Sequence, residues 1–149
     1  MLNRYRFGFD GWGLAVFLLV MAPNFIWFAV PAPNDVLRAE SVTTVVDVIA
    51  SVLQVLTVAC LCIVINKERM RLRFSPLVMT TVACVVVYYL GWVLYYCGVV
   101  GSWVILLLTV PPCLAFILFA TDRKNIPAAL LATGFAVCHL IFALKNFIP

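Results

Sequence analysis

Residues 11–41, "GWGLAVFLLVMAPNFIWFAVPAPNDVLRAES", decide the architecture. From Gly11 to Val30 the chain is apolar for the length of one bilayer crossing, about 20 residues at about 1.5 Å per residue. Residues facing alternate sides of a membrane strand would alternate polar with apolar, and these do not, so the run reads as a helix. Within it sits Ala22-Pro23-Asn24, and just beyond it Ala32-Pro33-Asn34 repeats the same triplet.

The same pattern recurs along the 149 residues. Hydrophobic residues make up 66% of the chain, charged residues 11%, and the mean hydropathy is +1.15, far outside the soluble range. Apolar segments run over 11–30, 44–66, 77–100, 102–120 and 126–147, which predicts an all-α integral membrane protein, a five-helix transmembrane bundle forming a single domain over 1–149. Only "GVVGSW" (Gly98–Trp103) separates the third and fourth segments, so a tight helical hairpin is expected there. Arg4 and Arg6 precede the first run as in a secretory signal, but the run is long and Pro33 follows its best small-residue site; it is read as a retained span.

Lys and Arg in the short connections set the orientation. With the N-terminus inside, Arg4, Arg6, Lys67, Arg69, Arg71, Arg73, Arg123 and Lys124 lie on the cytoplasmic side, leaving only Arg38 and Lys145 of the ten basic residues outside. Five spans then put the C-terminus outside. The "NKERMRLRF" loop (Asn66–Phe74) reads as a topology anchor against the lipid bilayer rather than a nucleic-acid site, and no nucleic-acid partner is expected.

Chemistry-bearing residues are few. The six cysteines lie within or at the ends of spans and form no CxxC, and Cys60 and Cys62 point about 200° apart on a helix. They read as small hydrophobes; no metal site and no cofactor is expected.

Polar residues inside spans cost free energy in lipid and should face the bundle or water. Pro23 cannot donate to the carbonyl one turn back, so the helix should kink or open near Leu19, freeing a carbonyl beside the Asn24 amide. Asp47, Ser51 and Gln54 share one face of the second span, although Thr44-Val-Val-Asp47 also reads as a capping box that would merely close its N-terminus. In the fifth span Ala128, Ala132, Ala136, His139, Ala143 and Asn146 form a stripe of small residues for close helix approach, which turns His139 toward protein. Tyr88, Trp92 and Tyr95 share a face of the third span. Tyr95 and Tyr96 fit an interfacial belt, while Tyr88, Tyr89 and Trp92 lie deeper. Pro111-Pro112 should break the fourth span in mid-membrane, a feature that discontinuous transport helices share.

Depth along the spans gathers Asn24, Asp47, Gln54, Trp92, Tyr95 and His139 as candidate lining of an outward-facing pocket. Pro31 and Pro33 stop the first helix, Asn34 is expected to cap a short turn through Val36, Leu37 and Arg38, and Asp35, Arg38 and Glu40 with Lys145 form the candidate rim.

"IWFAVPAPNDVLRAES" (Ile26–Ser41) resembles the corresponding stretch of small multispanning bacterial membrane proteins, a resemblance that implies a bacterial inner-membrane location and no activity. Five spans rich in aromatics are also similar to the translocator (tryptophan-rich sensory) family, but its Trp-Pro-Pro signatures are missing from the matching places; the only Pro-Pro is followed by Cys113, and that family's ligand is not carried over.

Three functions fit these features. Binding or transport of a small or lipophilic ligand would use the polar and aromatic pocket. An accessory or assembly subunit would present its helical faces to a partner membrane subunit or to another copy of the chain. A lipid-modifying enzyme would have only His139 with Asp47 as acid and base, with no serine near His139 and no carboxylate cluster for a metal.

Overall fold

The computed structural model describes residues 4–69 and 74–148. Five helices, α1 (Gly11–Ala29), α2 (Thr44–Ile63), α3 (Pro76–Tyr96), α4 (Ser102–Asp122) and α5 (Ile126–Phe147), are each long and apolar enough to cross a membrane, so the chain is a multi-pass membrane protein. Three of the starts have a side-chain cap. Asp10 caps α1 by accepting from the Trp12 amide at 3.0 Å, Ser75 caps α3 ahead of Pro76, and Asn125 caps α5 with Pro127 in its first turn.

Helix α4 is the axis of the bundle. It packs along α3 and α5, while α5 packs along α2 and α1 touches the others sparsely. Val104, Ala115 and Ala120 on α4, and Ala128 and Ala132 on α5, are fully buried. Gly91 lets α3 approach α4 closely, since a Cβ there would stand 3.0 Å from the Leu107 Cβ.

Two segment ends differ from the hydropathy reading. The second helix stops at Ile63, and Val64–Asn66 instead form strand β2, antiparallel to β1 (Tyr5–Phe7), with Arg6 opposite Ile65. The reason is pairing: the Gly8 amide donates to the Ile63 carbonyl at 3.0 Å and the Asp10 amide to Cys62 at 2.7 Å, drawing the helix end out into an extended strand. The third helix stops at Tyr96, where Gly98 takes a φ of 86° and turns the chain toward α4. A third correction concerns Pro111-Pro112: α4 runs through both prolines without a break. α1 likewise continues through Pro23. In each case neighbouring helices pack around the proline, which is buried.

The strands and the α4–α5 turn form what is called here the basic end. Arg123 is buried and pairs with Asp10 through Nη2 at 2.7 Å and Nε at 3.1 Å. Asn125 donates to the Cys60 and Val64 carbonyls at 2.8 Å each, tying α5 to the end of α2. Lys124, with a φ of 50°, offers its carbonyl to Tyr5 and Asn66 and its ammonium to Glu68 at 2.7 Å. Ser75 donates to Asp122. Arg123 and Lys124 are thus not free loop charges but joints between elements. Arg71 and Arg73 lie outside the described residues.

Candidate functional site

A cavity of about 280 Å³ opens in the half of the bundle away from the basic end, and all five helices line it. Val20, Met21, Asn24 and Phe28 come from α1; Asp47, Ala50, Ser51 and Gln54 from α2; Tyr88 from α3. Leu108, Pro112 and Phe116 of α4 form its floor with Phe135, His139 and Phe142 of α5. The sparse packing of α1 makes the space. α1 is held tightly to α2 at the basic end, where Gly13 lies against the Leu61 carbonyl, and the two helices are joined at the other end by the long connection 30–43. Phe28 and Ser51, on facing helices, are exposed, so the mouth lies between α1 and α2.

The Pro23 position explains the polar wall. Its missing amide frees the Leu19 carbonyl, and the donor that reaches it is Tyr89, at 2.8 Å, rather than Asn24. Asn24 is left to donate to the Tyr88 hydroxyl at 2.7 Å and to the Val20 carbonyl at 3.2 Å. Of the consecutive tyrosines of α3, Tyr89 therefore donates to an α1 carbonyl and Tyr88 accepts from an α1 side-chain amide.

On α2 the stripe of Asp47, Ser51 and Gln54 faces the cavity together. The cap lies one residue earlier than the box suggested: Thr43 is the N-cap, its backbone carbonyl accepts from the Asp47 amide, and its hydroxyl donates to Asp47 Oδ1 at 3.0 Å. Gln54 reaches the Met21 sulfur at 3.6 Å. Among the described residues Asp47 Oδ2 accepts no hydrogen bond.

His139 is stacked between Phe135 (ring centroids 5.1 Å, planes 18° apart) and Phe142 (6.0 Å, 10°), one turn of α5 on either side. It makes no hydrogen bond to a described residue. Sequence spacing placed no serine near His139, but folding brings Ser51 of α2 to the same cavity. Its hydroxyl is already donated to the Asp47 carbonyl at 2.8 Å, one turn back, and no serine–histidine–carboxylate relay forms.

Trp92 and Tyr95 lie elsewhere. Trp92 is buried in a cluster with Trp27, Tyr88, Tyr95 and Tyr96, beside an apolar groove that Pro23, Ile26, Val93 and Cys97 also line. Tyr95 is fully buried and donates to Asp35 at 2.9 Å while accepting from the Leu37 amide at 3.1 Å. Of the Tyr88, Trp92 and Tyr95 face of α3, Tyr88 reaches the cavity, whereas Tyr95 is bonded to the 30–43 loop.

That loop is built on Asp35. Its carboxylate accepts from the Trp27 indole at 2.9 and 3.0 Å, from Tyr95, from Arg38 Nε at 2.8 Å and from the Ala32 amide. Burial alone would raise its pKa, but these donors together outweigh burial and hold the carboxyl below its usual range. Arg38 also lies over the Trp27 ring at 4.9 Å and donates to the Trp27 carbonyl. Asp35 and Arg38 are therefore internal fastenings, not a rim free to meet a ligand. Asn34 caps nothing: its side chain donates to the Gly98 carbonyl at 3.1 Å, and Asp35 precedes the single 3-10 turn Val36–Arg38. Glu40 and Lys145 are exposed and make no ion pair among the described residues, because Asn146 rather than Lys145 bridges to the loop, through Val42 and Thr43.

Asn24, Asp47, Gln54 and His139 thus meet at one cavity, while Trp92, Tyr95, Asp35, Arg38, Glu40 and Lys145 do not line it. Tyr88, Ser51, Phe135 and Phe142 are among the lining residues that sequence reading does not place in the pocket. The i, i+4 spacing of Tyr88 with Trp92 and of Asp47 with Ser51 was the available signal. Among the described residues no group of three or more His, Cys, Asp or Glu gathers as a metal site. The chain matches no family model, and no curated protein or solved structure is significantly similar to it.

Proposed function

We propose that this protein binds, and moves across or presents within the membrane, a small amphiphilic molecule held in the cavity between α1 and α2. The observation that carries the reading is the division of the cavity wall. Asn24, Asp47, Ser51, Gln54, Tyr88 and His139 supply polar groups, and Val20, Leu108, Phe116, Phe135 and Phe142 supply an apolar surface. All six polar residues belong to helices that a purely structural bundle would fill with aliphatic side chains, since an intramembrane polar group costs free energy unless it is used.

The membrane is taken as the bacterial inner membrane with the basic end in the cytoplasm, because basic residues set orientation whether or not acidic groups neutralise them. The cavity then opens toward the outer leaflet, and the ligand enters laterally past Phe28 and Ser51. An accessory subunit would need no such space.

Cysteine placed at Asn24 or His139, in a variant with its six native cysteines replaced, should react with a membrane-impermeant thiol reagent added from outside. Cysteines at the lipid-facing positions Phe25 and Leu140 should react more slowly. If both cavity positions are inert while a cysteine at the exposed Glu40 labels, the binding reading fails and the accessory-subunit reading replaces it.

A further inference from the structure

We infer that the molecule held in this cavity is a lipophilic cation, an amine or quaternary ammonium carrying an aromatic or short alkyl body. The inference rests on the cavity being a binding site, and three observations give the charge. Among the described residues Asp47 is the only carboxylate that lines the cavity, and no Lys or Arg lines it. Its Oδ1 holds a single hydrogen bond, from Thr43, and Oδ2 holds none among the described residues, so the carboxylate retains most of its accepting capacity at the cavity wall. Of the basic residues, Arg38 is tied to Asp35, Arg123 to Asp10 and Lys124 to Glu68, Lys145 is exposed and does not line the cavity, and His139, which does line it, makes no hydrogen bond to Asp47.

The rest of the wall suits the same class. Phe135, His139 and Phe142 form a column of nearly parallel rings, and Phe28, Phe116 and Tyr88 add aromatic surface from three other helices. Ring faces attract cations electrostatically, and an aromatic wall closed by one carboxylate is the arrangement that recognises an ammonium without hydrogen-bond donors. An anionic ligand would meet a like charge with no cationic donor opposite it. A neutral ligand would leave the carboxylate uncompensated in a low-dielectric space.

The test uses the full-length protein in detergent and three probes of one shape: benzyltrimethylammonium, its neutral carbon isostere 2,2-dimethylpropylbenzene, and phenylmethanesulfonate. Binding is read from the concentration dependence of the thermal midpoint. The cation alone should stabilise the protein. Asp47→Asn, which keeps the Thr43 contact, should weaken its binding about tenfold or more, Asp47→Glu should restore much of it, and Glu40→Gln should leave it unchanged. Equal binding of the neutral isostere, or full retention by Asp47→Asn, overturns the cation assignment while leaving an amphiphile site. Absence of binding by every probe also overturns it, and cysteine labelling at Asn24 and His139 then decides independently whether the cavity itself stands.

Discussion

Arg123 at the basic end and His139 in the cavity half are both polar side chains drawn into an apolar bundle, yet the molecule treats them in opposite ways. Arg123 has a carboxylate at 2.7 Å and sits inside a mesh of Asp10, Asn125, Lys124 and the two short strands. His139 has ring faces on either side, no hydrogen bond to a described residue and an open space in front. A polar group that holds a fold together is satisfied by its neighbours, whereas one kept for a ligand is held in place by packing and left with capacity. The difference follows α1: it is fastened to α2 near Gly13 and stands apart from it near Asn24.

The largest expected effect lies at the fastened end. Arg123→Ala leaves the buried Asp10 carboxylate uncompensated and should cost about 3–5 kcal/mol of stability in reversible unfolding. Arg123→Lys should restore it only in part, because one ammonium does not reproduce the two-nitrogen contact. A loss under about 1 kcal/mol in Arg123→Ala would mean that the basic end is no more closed than the cavity half.

Gly13→Ala comes next. A Cβ at Gly13 would clash with the Leu61 carbonyl oxygen and lie 2.9 Å from its carbon, whereas at Gly11 it would meet nothing within 4 Å. Gly13→Ala should cost about 1–3 kcal/mol by overpacking, and Gly11→Ala should be tolerated. Equal midpoints for the two variants would remove the hinge-like attachment of α1 from the comparison.

The Asp35 loop should behave like the basic end although it lies over the cavity half. Its carboxyl is held below the ordinary value of 3.8 in the folded protein. The stabilisation it gives is therefore present above that value and lost as pH falls through the lower, folded one. Thermal midpoints measured against pH should fall on acidification below the ordinary carboxylate range. Asp35→Asn should be less stable at neutral pH and show a shallower acid limb; an unchanged limb would show that the loop is not fastened through this group.

The smallest effect belongs to the cavity. Asp47→Asn retains an acceptor for the Thr43 hydroxyl, and its stability without ligand should stay within about 0.5 kcal/mol of the parent. A loss as large as that of Arg123→Ala would place Asp47 among the structural charges and end the contrast between the two halves.

What could be read in the chain was local. Hydropathy over helix-length windows located five helices, because an apolar run needs only its own length to span a bilayer. Spacing placed Asp47, Ser51 and Gln54 on one face, and the chemistry of proline marked the Leu19 carbonyl as the one needing a donor. The same spacing grouped Trp92 with Tyr95 without saying what they face, since periodicity fixes which residues share a side of a helix but not how the helix is rotated in the bundle. The α2 terminus was misjudged for a related reason: Val64–Asn66 are apolar enough to continue a helix, and only the approach of Tyr5–Phe7 draws them into a strand.

Tertiary structure decided every pairing between distant segments. Asp10 meets Arg123 across 113 positions, Tyr89 supplies the Leu19 carbonyl across 70, and Asp35 draws Tyr95 across 60. The cavity is of the same kind, because it is the space that α1 fails to fill once Gly13 and the 30–43 loop have fixed its two ends. A sequence states how much each residue costs to bury. Which partner offsets that cost, or whether a space is left instead, depends on the mutual rotation and tilt of five helices, and those are set by contacts that exist only when all five are packed.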